Sequence, residues 1–320
     1  MSNRIPIIDL AASFSHDAGA RQAIARQIDA ACRDTGFFYV VNHGVRRDVV
    51  KGMFAASRAL FALPADVKRT AKMIAPSNRG YEGVGAQRLQ DDAPPDQKES
   101  MMVGIDLPPD DPYTKLGVAN YGANRWPEGH PEFAAPVARY HADTLALGRH
   151  LLRLFAIALD QPENFFIASM EMPIATLRMI HYPPLAAGAP ADAVGAGLHT
   201  DWGAITVLAQ DDIGGLQVKG ANDEWIAATP VADAFVINIG DMMQRWTNDF
   251  YRSTPHRVLN NRSGRDRYSA AMFIDLNYFT RVECLANCVT AARPARYAPC
   301  TAGEHIAEMY QHTYARPAGA

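Results

Sequence analysis

The chain is poor in the features that would set it apart from ordinary globular proteins. It has only 4 cysteines in 320 residues, Cys32, Cys284, Cys288 and Cys300, and no two form a Cys-x-x-Cys pair. A small disulfide-stapled module is thereby excluded, and a reducing cytoplasm is the expected location. No long hydrophobic run is present: residues 151–159 are interrupted by Arg153, well short of the roughly 18 apolar residues that a membrane span needs. The opening Met1-Ser-Asn-Arg-Ile-Pro6 contains no apolar signal core. Charge of one sign is also lacking. Lys plus Arg number 31 against 34 Asp plus Glu, a net charge of −3, so no basic field gathers nucleic acid or anionic lipid. There is no internal repeat and no low-complexity tract. What the chain does have is 48% hydrophobic residues, enough for a core at a length that suits one large domain with appendages or two fused units.

Two textures divide it. Ile24, Ile28 and Ala31 recur at helical spacing within residues 20–33, and Thr35-Gly36 leads into the apolar run Phe37–Val41, which reads as helix, turn and buried strand. Further helical patterns run from Val50 through Met53, Phe54, Ser57 and Phe61, ending before Pro64, and over residues 136–159. Residues 75–121, dense in Pro, Gly and Asp, read as a long surface excursion of the kind that covers a site. After Pro173 come short β-type runs at residues 175–182, 204–209, 215–218, 234–239, 242–246 and 268–274, separated by Gly214-Gly215, Asn222-Asp223 and Gly240-Asp241. The expected fold is mainly β with flanking helices: an antiparallel sandwich or jelly roll behind an N-terminal helical region. The expected organisation is a helix-rich region at 1–172, a β core at 173–285 and a C-terminal segment at 286–320. In the last, Ile306, Met309 and Tyr310 suggest a helix placed as a lid.

Two motifs in the β half carry chemistry. His199-Thr200-Asp201 puts an imidazole and a carboxylate two residues apart, and His256 follows 55 residues after Asp201. Residues i and i+2 of an extended strand point the same way, and a facing strand can add a third ligand. Two His and one carboxylate on one face of a metal suit non-haem Fe(II), with hydrolytic Zn²⁺ the second choice. Eleven residues past His256, Arg267-Tyr268-Ser269 opens a strand whose alternation places Arg267, Ser269, Ala271 and Phe273 on one face. An inward guanidinium calls for an anion, either an acidic cosubstrate or an internal Asp.

These motifs, with Ile5-Pro-Ile-Ile-Asp-Leu10, Gly36-Phe-Phe-Tyr-Val-Val-Asn-His-Gly44, His181-Tyr-Pro-Pro184, Gly214-Gly-Leu-Gln-Val218, Asn238-Ile-Gly-Asp241 and Ser253-Thr-Pro-His-Arg-Val258, span nearly the whole chain. In them the sequence resembles the isopenicillin N synthase-like branch of the Fe(II)- and 2-oxoglutarate-dependent dioxygenases. The resemblance implies a double-stranded β-helix, with His199, Asp201 and His256 as iron ligands. It implies Arg267, Ser269 and Tyr182 as the binders of the distal carboxylate of 2-oxoglutarate, and Phe273 as a substrate-pocket residue. The implied activity uses O2 and 2-oxoglutarate, releases succinate and CO2, and hydroxylates, desaturates or cyclises a small molecule. Ile180 stands where many relatives have Asn, and Trp202 where many plant members have Pro.

Within the loop-rich stretch, Arg79 and Tyr81 are the expected substrate contacts, with Arg88 and Met101 beside them. His43 matches a family turn far from the metal, and His150, His181 and His305 receive no role. Three alternatives remain at the level of sequence: an Fe(II) oxidase that uses O2 without 2-oxoglutarate, an inactive binding or sensor protein on the same fold, and a zinc hydrolase. The expected partner is a small molecule, with neither nucleic acid nor membrane involved.

Overall fold

The computed structural model describes residues 4–86, 95–185, 194–220 and 222–314. Strand β1 (Ile7–Asp9) is followed by helix α1 (Ala18–Asp34), which starts at Asp17, whose carboxylate accepts the Gly19 N–H. The helix stops at Gly36, where φ is 68° and the Arg252 carbonyl occupies the place of a side chain. The run expected as a strand is β2 (Phe37–Val41), followed by α2 (Arg47–Phe61) and α3 (Ala65–Thr70). Strands β3 (Gly80–Glu82) and β4 (Glu99–Gly104), the one-turn α4 (Pro112–Lys115) and the long α5 (Ala134–Ala158) complete the first half. The second half holds β5 (Pro173–Tyr182), β6 (Ala196–His199), β7 (Ile205–Gln210), β8 (Leu216–Lys219), β9 (Trp225–Ala227) and β10 (Phe235–Ile239). It ends with α6 (Asp241–Trp246), β11 (His256–Val258), β12 (Arg267–Asn277) and α7 (Ala302–Tyr314).

Among the described residues the major sheet runs β1-β2-β10-β7-β12-β5-β4-β3 and the minor sheet β6-β11-β8-β9. All pairs are antiparallel except β1 with β2. The two sheets face one another as a jelly roll, as expected. Strand alternation divides the burial: Phe38 and Val40 of β2 join the core beneath α1, α2 and α5, whereas Phe37 and Tyr39 join a smaller cluster between the sheets. Helix α5 lies against the outer face of the major sheet, and Gly148 is what lets it approach, since a Cβ there would fall 2.1 Å from Ile274 Cδ1.

Two expectations are corrected. Residues 242–246 form α6 rather than a strand: Met242, Met243 and Trp246 are buried at a spacing that a five-residue apolar run cannot distinguish from a strand. Residues 75–121 are not simply a surface excursion, because β3 and β4 lie within them and extend the major sheet. Strand β4 is buried at every position and so has no polar alternation to reveal it. The stretch before residue 173 thus adds four strands to the sheet as well as helices. Among the described residues no helix is long and apolar enough to cross a membrane.

Candidate active site

The space between the sheets is a cavity of about 150 Å³. From the major sheet it is lined by Phe37, Arg178, Tyr182, Thr206, Asn238, Arg267, Ser269 and Phe273, and from the minor sheet by His199 and His256. Its size admits a small molecule.

At its centre, the ligand-type atoms of His199, Asp201 and His256 lie within 4.8 Å of one another. The sheet register produces this: His199 at the end of β6 is directly paired with His256 at the start of β11. Asp201 lies beyond the strand end rather than on it, so alternation alone does not place it. Its backbone carbonyl accepts the Asp241 N–H at 2.8 Å, which ties it to the start of α6. Each imidazole donates Nδ1–H to the carbonyl two residues back, His199 to Gly197 at 2.7 Å and His256 to Thr254 at 3.1 Å. Both Nε2 lone pairs are thereby left for a metal. Asp201 Oδ2 accepts from Thr206 Oγ1 and from Asn238 Nδ2, each at 2.6 Å, while Oδ1 stands 3.7 Å from His256 Nε2. Burial, followed by the charge of His256, holds His199 far below an ordinary histidine and keeps it neutral. Burial opposes the Asp201 charge, but His256, His199 and the two hydrogen bonds outweigh it and keep the carboxylate ionised. Two imidazoles, each tied through Nδ1–H to a carbonyl, beside an ionised carboxylate form a donor set that fits Fe(II).

At one end of the cavity Arg267 is 2% exposed. Its Nε donates to the Gly214 carbonyl, its guanidinium stacks 4.5 Å from the Tyr182 ring, and its Nη1 is buried without a partner. No carboxylate among the described residues pairs with it, so the internal Arg–Asp bridge is absent. A buried guanidinium with an orphaned donor, beside the Ser269 hydroxyl, fits a carboxylate arriving from outside.

Toward the opposite end lies a cation of another kind: Arg178 donates to Glu82 at 2.7 Å and to Ser100 Oγ at 3.0 Å. Lys98, just before β4 and so level with Tyr182, pairs with Asp96. Burial, reinforced by Arg178, pushes Lys98 down to about 8. The Asp275 carboxyl, accepting the Ala204 N–H at 2.7 Å, is pushed up to about 7 by burial. Helix α7 contributes Ile306 and Tyr310 to the wall. Tyr310 packs edge-on against Trp202 at 5.2 Å and donates to Asn120 Oδ1 at 2.9 Å.

Phe273 lies in the cavity wall as expected, whereas Arg79 and Tyr81 do not. Arg79, 1% exposed, sits one layer behind, donating to Thr176 Oγ1 at 3.2 Å and to the Asn120 carbonyl at 2.6 Å. Tyr81 points to the opposite face of β3, where its hydroxyl donates to Glu99. Alternation explains this, since Glu82 is the residue of β3 that meets Arg178. Arg88 lies outside the described residues. Sequence reasoning missed Arg178, although an arginine on the same face of an apolar strand as Tyr182 is the signal that singled out Arg267. It also missed Thr206, whose hydroxyl at the start of a β-branched strand gave no sign of reaching Asp201.

Comparison with known proteins agrees with this geometry. Residues 5–129 match the family described as non-haem dioxygenase in morphine synthesis N-terminal, and residues 173–276 match the 2OG-Fe(II) oxygenase superfamily. The chain is 36% identical to the 2-oxoglutarate-Fe(II) type oxidoreductase hxnY of Emericella nidulans, over 97% of this chain and 90% of that protein. Its fold is similar to full-length Neurospora crassa thymine 7-hydroxylase in complex with alpha-KG and thymine, at 29% identity, a TM-score of 0.86 and 96% coverage of both chains. It is also similar to JOX2 in complex with 2OG, Fe and JA, at 30% identity and a TM-score of 0.78, over 94% of this chain and 83% of that one. The chain therefore belongs to the Fe(II)- and 2-oxoglutarate-dependent oxygenases, enzymes that use iron and 2-oxoglutarate to oxygenate small molecules.

Proposed function

We propose that His199, Asp201 and His256 hold Fe(II), that Arg267, Ser269 and Tyr182 receive the distal carboxylate of 2-oxoglutarate, and that the reaction is hydroxylation of a small molecule. The observation carrying this reading is the buried Arg267 guanidinium, with Nη1 unpartnered and no carboxylate beside it, in the same cavity as a three-ligand cluster. When bound, Fe(II) and 2-oxoglutarate together activate O2 and direct its oxidising power at a C–H bond, with release of succinate and CO2. The chain's own residues do the positioning. The Gly197 and Thr254 carbonyls fix both imidazole tautomers, and Thr206 and Asn238 occupy one oxygen of Asp201 so that the other faces inward. Arg267 and Ser269 orient the cosubstrate at one end. At the other, Trp202, Phe273 and Tyr310 wall off water around the substrate, with α7 closing over it. The thymine complex of the Neurospora relative supports a compact substrate for this pocket. The four cysteines are unpaired, which supports function in a reducing compartment such as the cytoplasm.

The test is succinate formation by purified protein with and without Fe(II) and 2-oxoglutarate. The expected result is formation that needs both and is lost in His256→Ala. Substrate-dependent O2 consumption that ignores 2-oxoglutarate would instead favour the oxidase reading.

A further inference from the structure

On the outer face of the major sheet, directly behind the cosubstrate end of the cavity, lies a partly buried ionic cluster that the reaction itself does not use. His181 is the neighbour of Tyr182 on β5 but points the other way. The register sets it between Glu99 of β4 and Tyr268 of β12, just as Tyr182 is set opposite Arg267. Its Nδ1 lies 2.8 Å from Glu99 Oε1 and its Nε2 lies 2.8 Å from Asp266 Oδ1. Both ring nitrogens thus face carboxylate oxygens. A neutral imidazole has one N–H and one lone pair, so it can satisfy only one of these contacts and turns its lone pair on the other carboxylate. With both carboxylates ionised, only the imidazolium satisfies both contacts at once.

The surroundings favour it. Glu99 also accepts from Lys68 of α3 at 2.7 Å and from the Tyr81 hydroxyl of β3. Tyr268 stacks on the ring at 4.8 Å, and Phe61 of α2 packs at 5.6 Å. Arg58 of α2 and Asp211, just past β7, act on Tyr268, and Arg69 of α3 acts on Tyr81. Burial disfavours the charge on His181, but the hydrogen bonds to Glu99 and Asp266 outweigh it and raise its affinity for a proton above that of an ordinary histidine.

Asp266 immediately precedes Arg267, so the His181–Asp266 contact fastens the entry of β12 to the end of β5, where Arg267 and Tyr182 stack. We propose that protonated His181 is a positioning residue for the cosubstrate: by bridging Glu99 and Asp266 it fixes the strand ends that hold Arg267 against Tyr182, and so sets the affinity for 2-oxoglutarate. The inference rests on Arg267 being the carboxylate anchor. A group whose proton affinity is raised by folding gives its full contribution below the ordinary histidine range and loses it as pH rises through the raised value. Affinity for 2-oxoglutarate is therefore highest on the acid side and falls as His181 loses its proton.

The experiment measures 2-oxoglutarate affinity, by equilibrium binding and as KM separately from kcat, from about pH 6 to about pH 9. It uses wild type, His181→Asn, Asp266→Asn and Arg267→Met. Wild type is expected to lose affinity by roughly fivefold or more across the range, within the span of ordinary site-to-site coupling. The first two variants are expected to start near the wild-type alkaline value and stay flat, with kcat at saturating cosubstrate little changed. Asp266 is half-exposed, so Asp266→Asn keeps the test open should His181→Asn fold poorly. In metal-free protein, NMR of labelled histidine is expected to show His181 titrating above an ordinary histidine. Titration at or below the ordinary value, or variants that follow the wild-type pH profile, would overturn the role of His181. Undiminished binding by Arg267→Met would instead remove the anchor on which it rests.

Discussion

The two ends of the cavity present arginines from neighbouring strands, and they are built differently. Arg178 on β5 is neutralised by Glu82 and capped by Ser100. Arg267 on β12 has a backbone carbonyl, an aromatic face and an unpartnered donor, but no carboxylate. Both are buried, so the difference is not one of exposure. On the proposed reading the first is a structural charge and the second a receiving one. A buried guanidinium without a carboxylate is costly, and a ligand carboxylate bound there would remove that cost.

Variants can separate the two. The largest effect falls outside the comparison and sets its baseline: His256→Ala removes one of three ligand atoms and should abolish turnover while sharply weakening Fe(II) binding, measured by metal titration. Arg178→Met should leave Glu82 buried without its cation and destabilise the fold by about 3–5 kcal/mol, read from denaturant unfolding. Its effect on 2-oxoglutarate affinity should stay within about twofold, because the register places it four residues along from the anchor. Arg267→Met should behave in reverse. It strands no carboxylate, so the cosubstrate-free protein should be as stable as wild type or more so, while affinity for 2-oxoglutarate falls by roughly 30-fold or more. If both substitutions cost stability alike, the distinction between paired and receiving arginines fails. The smallest effect is expected of Asn238→Ala, which removes one of the two hydrogen bonds to Asp201 Oδ2 and leaves that from Thr206, and should weaken metal affinity by about 10-fold.

The legibility of the sequence followed the same division. The Arg267 strand could be read because period-two alternation is a local property: Arg267, Ser269 and Phe273 all reached the cavity wall from one face of β12. The metal cluster was legible through its motif residues, not through alternation, since Asp201 lies past the end of β6 and His256 arrives by strand pairing. Whether an arginine is paired is not local. Glu82 precedes Arg178 by 96 residues, and only the approach of β3 and β4 to β5 brings them together. Those two strands went unread because β4 is buried on both faces and opens on a charge, Glu99, that finds Lys68 of α3, His181 of β5 and Tyr81 of β3 instead of solvent. Arg79 and Tyr81 were selected by residue type and neighbourhood. Alternation across β3 and hydrogen bonds to Thr176 and Asn120 turned them away from the cavity. His181 gave no signal either, since its meaning depends on carboxylates contributed by β4 and by the entry to β12.

Arg267 is proposed to lack a carboxylate partner because 2-oxoglutarate supplies its anion. The most direct test is an anaerobic titration of the Fe(II)-loaded protein with 2-oxoglutarate, following the weak visible absorption of a chelated keto acid, in wild type and Arg267→Met. A saturable band is expected in wild type that, in the variant, needs far higher 2-oxoglutarate to develop, while iron stays bound in both. An identical titration curve in the two proteins, or no band in wild type despite bound iron, would contradict it.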